Sequence, residues 1–405
     1  MGSAPLAGMR VLDLSRVLAG PWAGQVLADL GADVIKVERP GAGDDTRSWG
    51  PPFLTDSEGR ETSESAYFLG VNRAKRSVTV DLKTEQGRQI IRTLASRSDV
   101  VIENFKTGTL ERMGLGYESL RELNPRLVHC SVTGFGQTGP RRHQAAYDFA
   151  VQALGGLMSV TGERDGEPGA GPQKVGIPIV DLTTGLYAAI AVLAAVAHRN
   201  ETGAGDHIDL SMLDVQVSLL SNQAMNYLLT GRSPQRQGNR HPNIQPQDVY
   251  RCRDGQVAIA VGNDGQFRSL CRALKLDGTV PRFARNRDRV RNLPELQELI
   301  ATRLTDMTRQ ECVSHLEAAG VPCAPINTVA EVFDDPQVVH RRMLREVDHP
   351  YGVPVPQVAG PLRFRDAVVR YDSPPPLVGQ HTDEVLHAIG LDDARIAELR
   401  AQGAI

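Results

Sequence analysis

The sequence lacks the features that mark several large classes of protein. Its formal net charge is −3 over 405 residues, without a basic excess or a polybasic run, so neither a nucleic-acid nor a membrane-surface partner is expected. Its five cysteines are scattered, and no C-x-x-C or C…H ligand spacing occurs. The sequence therefore predicts neither a zinc site nor a disulfide framework. Scattered thiols are typical of the reducing cytoplasm, so we expect a cytoplasmic protein that holds no metal.

Targeting signals and membrane spans are also missing from the sequence pattern. Residues 1–8 have neither the charged region nor the apolar core of a signal peptide, and Leu6 stands where myristoylation needs Ser or Thr. The apolar run over residues 182–197 is interrupted near its start by Thr and Gly, and it is shorter than the roughly 20 residues that cross a bilayer. We therefore expect this run to form a core helix.

The length of the chain predicts more than one domain, because a single core rarely grows this large. We expect a large domain over residues 1–224 and a small α+β domain with its linker over residues 225–330. Residues 331–405 are then a return segment that completes the large domain. A polar linker rich in Gly, Pro and Asn, residues 230–247, marks the first boundary.

Strand and helix signals alternate from residue 9 to about residue 135. Residues 9–14 and 33–37 have strand character, and the helix between them begins near Pro21 and ends before Gly31. This βαβ spacing predicts a Rossmann-like α/β domain with a parallel sheet, although the first turn lacks the G-x-G-x-x-G dinucleotide fingerprint. Polar loops that carry Arg and Asn follow the strands. Open α/β sheets bind their ligands at that edge.

The stretch from residue 174 to residue 197 carries the main candidate for chemistry. An apolar run over residues 175–180 ends at Asp181, and a long helix-forming run follows, which places Asp181 in the first turn of a buried helix. Free backbone N–H groups and the helix dipole favour the carboxylate form there, so we expect the pKa of Asp181 to be lowered. From the residues alone, Asp181 is either an N-cap or a nucleophile.

Seven segments that run in order through almost the whole chain carry a family signal. They are RVLAGPWAGQVLADLGADVIKVERPGAGDDTR, NRAKRS, VIENFKTGTLERMGLGY, VTGFGQTGP, YDFAVQALGGLMSVTG, VDLTTGLYAA and LVGQHTDEVL. Together they resemble the class III CoA-transferases, the superfamily of formyl-CoA transferase, carnitine CoA-transferase and α-methylacyl-CoA racemase. The segment ERPGAGDDTRSWGPPF is similar to the succinyl-CoA:dicarboxylate branch, which includes succinate–hydroxymethylglutarate CoA-transferase. The resemblance implies an interlocked homodimer.

The resemblance also implies roles for individual residues. The nucleophilic aspartate of the family matches Asp181, and Gly185 completes its motif. The family's contacts to coenzyme A match Arg39, Lys75, Asn104, Phe105 and Arg112. Arginine and lysine side chains suit the phosphates of CoA because they form charge-assisted hydrogen bonds. No permanently bound cofactor is implied, since CoA enters as the acyl-CoA substrate.

The acid-binding residues are less determined by the resemblance. Trp49 and Tyr147 match active-site aromatics of formyl-CoA transferase, but Leu18 stands where that enzyme has Gln. Residues 238–246 (GNRHPNIQP) stand where it has a glycine-rich loop, so formate–oxalate chemistry is not expected. A dicarboxylate acceptor also needs a cation for its distal carboxylate. The unranked candidates are Arg47, Arg73, Arg240 and His241.

The resemblance implies transfer of CoA from an acyl-CoA such as succinyl-CoA to a dicarboxylate such as glutarate. Asp181 would carry the acyl group as an anhydride and then CoA as a thioester, without ATP if water is excluded. An α-methylacyl-CoA racemase on the same fold is the alternative. Family racemases have His where this chain has Tyr147, and a tyrosine with an ordinary pKa near ~10 is a poor base. A non-catalytic CoA-binding protein would not need Asp181.

Overall fold

The chain divides into two compact units in a computed structural model that describes residues 2–276 and 281–405. The first unit comprises Met1–Gly156, Val175–Ser221 and Pro336–Ile405, and the second comprises Leu157–Lys174 and Asn222–Asp335. The observed divisions near residues 221 and 335 lie close to the expected boundaries at 224 and 330. Residues 157–174 group with the second unit, whereas we had placed them in the large domain.

The strands of the described residues form one large sheet and several small ones. They are β1 (Arg10–Asp13), β2 (Asp33–Glu38), β3 (Phe53–Thr55), β4 (Glu61–Ser65), β5 (Lys75–Thr79), β6 (Val100–Glu103), β7 (Val128–Thr133), β8 (His207–Ser211), β9 (Gln247–Cys252), β10 (Gly255–Ala260), β11 (Cys323–Pro325), β12 (Leu344–Asp348) and β13 (Pro354–Val358). The sequence patterns had indicated neither the β3–β4 nor the β12–β13 antiparallel pair.

The helices surround these sheets. They are α1 (Ala19–Asp29), α2 (Ala66–Leu69), α3 (Glu85–Ser96), α4 (Thr109–Arg112), α5 (Tyr117–Leu123), α6 (Asp148–Leu154), α7 (Leu157–Val160), α8 (Ile179–Thr202), α9 (Met212–Leu219), α10 (Ser221–Thr230), α11 (Asp264–Ala273), α12 (Asn286–Arg291), α13 (Leu293–Leu304), α14 (Arg309–Ala318), α15 (Val329–Asp334), α16 (Pro336–His340), α17 (Thr382–Ala388) and α18 (Asp393–Ala401). Short 3₁₀ helices occupy Asp45–Ser48 and Pro281–Phe283.

The large sheet confirms the predicted α/β architecture. Its six parallel strands run in the order β5-β2-β1-β6-β7-β8. Successive side chains along a strand point to opposite faces of the sheet, so that Val11 packs in the apolar cluster on one face and Leu12 in the cluster on the other. The chain order reverses between β1 and β6, because β2 and β5 lie on one side of β1 while β6, β7 and β8 lie on the other.

Helix α8 begins where the sequence predicted and packs closely against α1. Its glycine, Gly185, permits that approach, because a Cβ there would lie 2.6 Å from the carbonyl oxygen of Ala19. The helix has 24 residues and is longer than the predicted apolar run. It is long and apolar enough to cross a bilayer, but the core helices of globular proteins can have the same length and composition. One face of α8 packs in the apolar cluster with β6 and β7 through Ala188 and Val192.

Two helix predictions need correction. The apolar pattern over residues 213–229 predicts a single helix, but the structure has two, α9 and α10, because Ser221 adopts a left-handed backbone conformation (φ 44°) that interrupts the first. The expectation that α8 is a buried core helix is correct for one of its faces only, because Leu186, Tyr187 and Ile190 are exposed in the single chain.

The second unit confirms the predicted small α+β domain. Its antiparallel sheet has the order β11-β10-β9. The alternating pattern over residues 250–262 predicts a hairpin around Asp254 and Gly255, and β9 and β10 form this hairpin with Arg253 and Asp254 in the turn, since Gly255 already pairs with Cys252. Helices α11, α13 and α14 supply much of a separate apolar core that includes Phe267, Ile300 and Leu316. This core is independent of the large sheet, which is what a separate domain requires.

Candidate active site

Two cavities open at the carboxyl edge of the large sheet, near the point where the strand order reverses. The first cavity has a volume of about 190 Å³, and its lining includes the residues that follow β1, β6 and β7. The second cavity has a volume of about 230 Å³ and lies beyond the ends of β1, β2 and β5. This edge is the one at which the sequence predicted ligand binding.

Asp181 lies in the first turn of α8 and lines the first cavity. Four other residues with expected site roles, from separate parts of the chain, line the same cavity: Leu18, Asn104, Phe105 and Tyr147. The sequence therefore predicted a set of residues that the fold brings together. Arg16, Lys106 and Arg142, which the sequence analysis did not select, supply the positive charge of the lining.

The start of α8 has no side-chain cap of its own, and Asp148 takes that role from α6. Its Oδ2 accepts hydrogen bonds from the backbone N–H groups of Val180, at 2.7 Å, and of Asp181, at 3.2 Å. The Gln152 side chain donates to the other oxygen of Asp148 and accepts from the Val175 backbone N–H at 2.9 Å. Asp148 therefore fixes the position of Asp181 and engages N–H groups that would otherwise favour the Asp181 carboxylate.

The expectation of a lowered pKa for Asp181 is wrong. Burial raises the pKa of Asp181 to about 7, and the nearby negative charge of Asp148 acts in the same direction. Both carboxyl groups are less than 10% exposed, and neither forms an ion pair with any cation in the described part of the chain. A carboxyl group of this kind is a more basic, and therefore better, nucleophile than an ordinary aspartate.

The second cavity adjoins the first, because Arg16 and Phe105 line both. The Arg16 guanidinium lies 5.3 Å from the centroid of the Phe105 ring. Arg39, one of the residues expected to contact CoA, lines the second cavity together with Lys83, and pairs with Asp45. A long ligand with an anionic end can thus extend from Arg39 to Asp181 along one edge of the sheet.

The segment between β1 and α1 is held firmly between the cavities. Asn104 accepts a hydrogen bond from the Arg16 backbone N–H at 2.9 Å and donates to the Arg16 carbonyl at 2.7 Å. The carboxylate of Asp44 accepts from the Val17 N–H at 3.3 Å, and Val17 has a left-handed φ of 71°, which is strained for a β-branched residue. Asn104 thus lines the first cavity and also positions its wall.

Lys75 does not lie where the resemblance implied. Its ammonium is fully buried and donates to Asp13 at 3.0 Å, to the Pro21 carbonyl at 2.7 Å and to Asn72 at 2.9 Å, which uses all three of its protons. Lys75 is the first residue of β5, at the end of the strand opposite the cavities, and it lines neither of them. Its position corrects the expectation that it contacts a CoA phosphate.

Two of the candidates for the distal carboxylate are also committed to partners within the first unit. Arg47 is buried, with hydrogen bonds to Glu38 at 2.8 Å and to Glu64 at 2.6 Å, and lies over the ring of Phe68. Arg73 is buried and pairs with Asp29 at 2.5 Å. Because their guanidinium groups are already neutralised and lie outside both cavity linings, neither is available to a substrate.

The remaining predicted residues have simpler surroundings. Arg112 is exposed and donates to Thr109, outside both cavity linings. In the second unit, Arg240 lies 3.5 Å from Asp248, and the His241 ring accepts from two backbone N–H groups. The contacts to substrate expected for these three residues stay predictions.

No group of three potential metal ligands among His, Cys, Asp and Glu occurs in residues 2–276 and 281–405.

Trp49 does not line either cavity, but it packs against Tyr67, a residue that was not among the predicted site residues. Its ring packs edge-on against Tyr67, with centroids 5.2 Å apart. Burial raises the pKa of Tyr67 to about 12, and the charges of Asp181 and Asp148 add to this effect. Tyr67 thus lies within electrostatic reach of the two carboxyl groups, and no local sequence pattern indicated this.

The chain has extensive similarity to known proteins. Residues 6–382 match the family model described as CoA-transferase family III. The chain is 48% identical to succinate–glutarate CoA-transferase of Agrobacterium fabrum, with 94% of this chain and 95% of that protein covered. It is 42% identical to human succinyl-CoA:glutarate CoA-transferase, with 99% and 90% covered. A solved CAIB/BAIF family protein from Brucella suis is 48% identical, with a TM-score of 0.84 and 96% and 100% covered.

Proposed function

The chain belongs to CoA-transferase family III, and on that premise we propose that it transfers CoA from succinyl-CoA to a dicarboxylic acid such as glutarate through covalent intermediates on Asp181. The A. fabrum and human relatives, both of which are named for succinate or succinyl-CoA and for glutarate, support the choice of the two acids. The observation that carries the proposed mechanism is the position of Asp181. Its buried carboxyl group opens on a cavity whose wall is shared with a second cavity suited to a nucleotide.

The first half of the proposed reaction transfers CoA to the enzyme. The Asp181 carboxylate attacks the thioester carbonyl of the donor, the C–S bond breaks, and a mixed anhydride and CoA thiolate form. The thiolate then attacks the Asp181 carbonyl, and the anhydride C–O bond breaks. The products are an aspartyl-CoA thioester and free succinate.

The second half repeats these steps with the acceptor. The acceptor carboxylate attacks the aspartyl thioester carbonyl and releases CoA thiolate, which leaves a new anhydride. The thiolate attacks the acceptor carbonyl of this anhydride and the anhydride C–O bond breaks, which gives the acyl-CoA of the acceptor and regenerates the Asp181 carboxylate. No ATP is consumed, because each intermediate keeps an activated acyl group as long as water is excluded.

The two cavities support a division of the substrate. The nucleotide end of CoA would occupy the second cavity, where Arg39 and Lys83 offer charge-assisted hydrogen bonds to phosphate. The pantetheine arm would pass Arg16 and Phe105, and the thioester would reach Asp181 in the first cavity. The racemase alternative has less support, because the relatives named above are transferases and Tyr147 is a poor base.

An exposed apolar surface on the first unit supports the homodimer. Its members lie on α6, α8 and α9, which pack against one another: Phe149, Leu154, Leu186, Tyr187, Ile190 and Val217. A second copy of the chain, interlocked as the resemblance implies, would bury this surface. Sedimentation velocity of the purified chain measures the oligomeric state directly, and a monomer at micromolar concentration would contradict the homodimer.

The five free cysteines support a reducing, cytoplasmic location.

The covalent step can be tested by trapping. Incubation with succinyl-CoA followed by hydroxylamine should convert Asp181 into a hydroxamate, which peptide mass spectrometry locates. The Asp181→Ala variant should show no trapped product and should transfer CoA at least about 10³-fold more slowly. Glu201→Ala is the matched control, since it removes an exposed carboxylate from the other end of α8. Transfer at the normal rate by Asp181→Ala would refute the mechanism.

A further inference from the structure

Three cations line the first cavity, and they belong to different sides of it. Arg16 lines both cavities, lies 3.4 Å from Asp45 and packs on Phe105, so it belongs to the path between the cavities. Lys106 directly follows Phe105 on the same side. Arg142 comes instead from the segment between β7 and α6, which continues through other lining residues to the helix that contains Asp148.

The guanidinium of Arg142 is free to bind an anion. Its Nε donates to the ring of the adjacent His143 at 3.0 Å. Within residues 2–276 and 281–405, no carboxylate forms an ion pair with Arg142, and the side chain is exposed. This distinguishes it from Arg47 and Arg73, whose guanidinium groups are neutralised by buried carboxylates.

The proposed reaction needs a group of this kind. A dicarboxylic acceptor presents one carboxylate to the intermediate on Asp181, and its other carboxylate must remain in the cavity. A guanidinium binds a carboxylate through two parallel N–H···O bonds, which fixes its direction as well as its charge. Asp181 and Arg142 line the same cavity of about 190 Å³, so an acid bound in this cavity has both groups in its wall.

We propose that Arg142 binds the distal carboxylate of the acceptor and thereby selects dicarboxylic over monocarboxylic acids. This inference rests on the proposed function, because it assigns a role within the same reaction. It differs from the expectation based on sequence, which named four other cations for this task. Arg142 is a specificity-determining residue in this reaction, and it takes no part in breaking or forming bonds.

An internal competition tests the proposal without interference from the donor step. Enzyme, succinyl-CoA and equal concentrations of glutarate and pentanoate, which have the same number of carbons, are mixed, and mass spectrometry measures the ratio of glutaryl-CoA to pentanoyl-CoA. Arg142→Gln should lower this ratio by about tenfold or more, since a charge-assisted contact is lost. Arg142→Lys should give an intermediate ratio, because it keeps the charge but loses the paired N–H groups.

Arg141→Gln is the matched control. Arg141 carries the same charge one position earlier, but its guanidinium donates to Gln144 and it does not line the cavity, so the product ratio should stay unchanged. The ratio does not depend on how much of a variant is folded. An unchanged ratio in Arg142→Gln, an equal fall in Arg141→Gln, or loss of both products alike would overturn the role of Arg142. If the unmodified enzyme forms neither product from succinyl-CoA, the proposed function itself is wrong.

Discussion

The first unit contains two groups of buried charge that differ in the presence of cations. Near the amino-terminal strands, Lys75 pairs with Asp13, Lys36 pairs with Asp44, and Arg47 pairs with Glu38. At the start of α8, Asp148 and Asp181 lie together without an ion-pair partner among the described residues. Both groups are largely removed from solvent, so the difference between them reflects their neighbours and not their depth.

The neighbours move the pKa values in opposite directions. Burial alone would raise the pKa of Asp44, but the Lys36 ammonium and the hydrogen bonds from Thr46 outweigh it and hold the pKa at about 2. Burial raises the pKa of Asp181 to about 7, and Asp148 reinforces the effect. The comparison of Asp44 with Asp181 teaches that a neighbouring cation can hold a buried aspartate as a carboxylate, whereas a neighbouring carboxylate makes it more basic.

Removal of a cation from the compensated group should have the largest effect on stability. Arg47→Ala leaves Glu38 and Glu64 buried without their partner, so we expect the free energy of unfolding to fall by about 3–5 kcal/mol. Urea denaturation followed by circular dichroism measures this. Arg60→Ala, which removes an exposed arginine with two surface carboxylate partners, should change little. Equal stability of the two variants would show that the buried pairs are not mutually stabilising.

Removal of a charge from the uncompensated pair, Asp148 and Asp181, should raise the free energy of unfolding instead of lowering it. The pKa of Asp181 is higher in the folded state, about 7, than its ordinary value of 3.8, so the folded state binds the proton more tightly. Stability from this group is therefore present below about pH 4 and is lost as the pH rises to about 7. Asp181→Asn should be about 1–3 kcal/mol more stable than the unmodified chain above pH 7.

Unfolding curves at several pH values test this directly. The difference between Asp181→Asn and the unmodified chain should vanish near pH 4 and grow toward pH 7. A constant difference, or a variant that is less stable at every pH, would show that Asp181 is compensated in the folded state.

A smaller effect is expected on the pH dependence of activity. In the proposed mechanism the carboxylate form of Asp181 attacks the thioester, so activity should rise with pH through about 7. Asp148→Asn removes the neighbouring charge but keeps an oxygen that accepts from the Val180 N–H, so this rise should shift by about 1 pH unit to lower pH. The measurement is a profile of kcat/KM against pH with glutarate as acceptor.

Asp148→Ala is the comparison for that profile. It removes both the charge and the hydrogen-bond acceptor at the start of α8, so activity should fall at every pH in addition to any shift. If Asp148→Asn and the unmodified enzyme have the same profile, the charge of Asp148 does not influence Asp181, and Asp148 acts only as a helix cap.

The fold and the position of Asp181 could be predicted because their signals are local, whereas Asn104, Phe105 and Tyr147 could be selected only through the family resemblance. The βαβ spacing, the first turn of α8 and its position after an apolar run can each be recognised in short windows of sequence. The pKa of Asp181 could not, because Asp148 lies 33 positions earlier and engages the backbone groups that the local argument had assigned to Asp181. The sequence also cannot tell a cation directed into the domain, such as Lys75, from one that faces a ligand.

The left-handed conformation of Val17 has a consequence for turnover. A φ of 71° costs a β-branched residue about 1–3 kcal/mol of conformational free energy. Such a conformation persists only where the surrounding structure fixes it. Here Asn104 holds the N–H and the carbonyl of Arg16, and Asp44 holds the N–H of Val17 itself. The entropy of ordering this wall is therefore lost once, when the chain folds. If the thioester binds in the first cavity as proposed, it therefore meets a wall that is already ordered and does not lose that entropy again on binding.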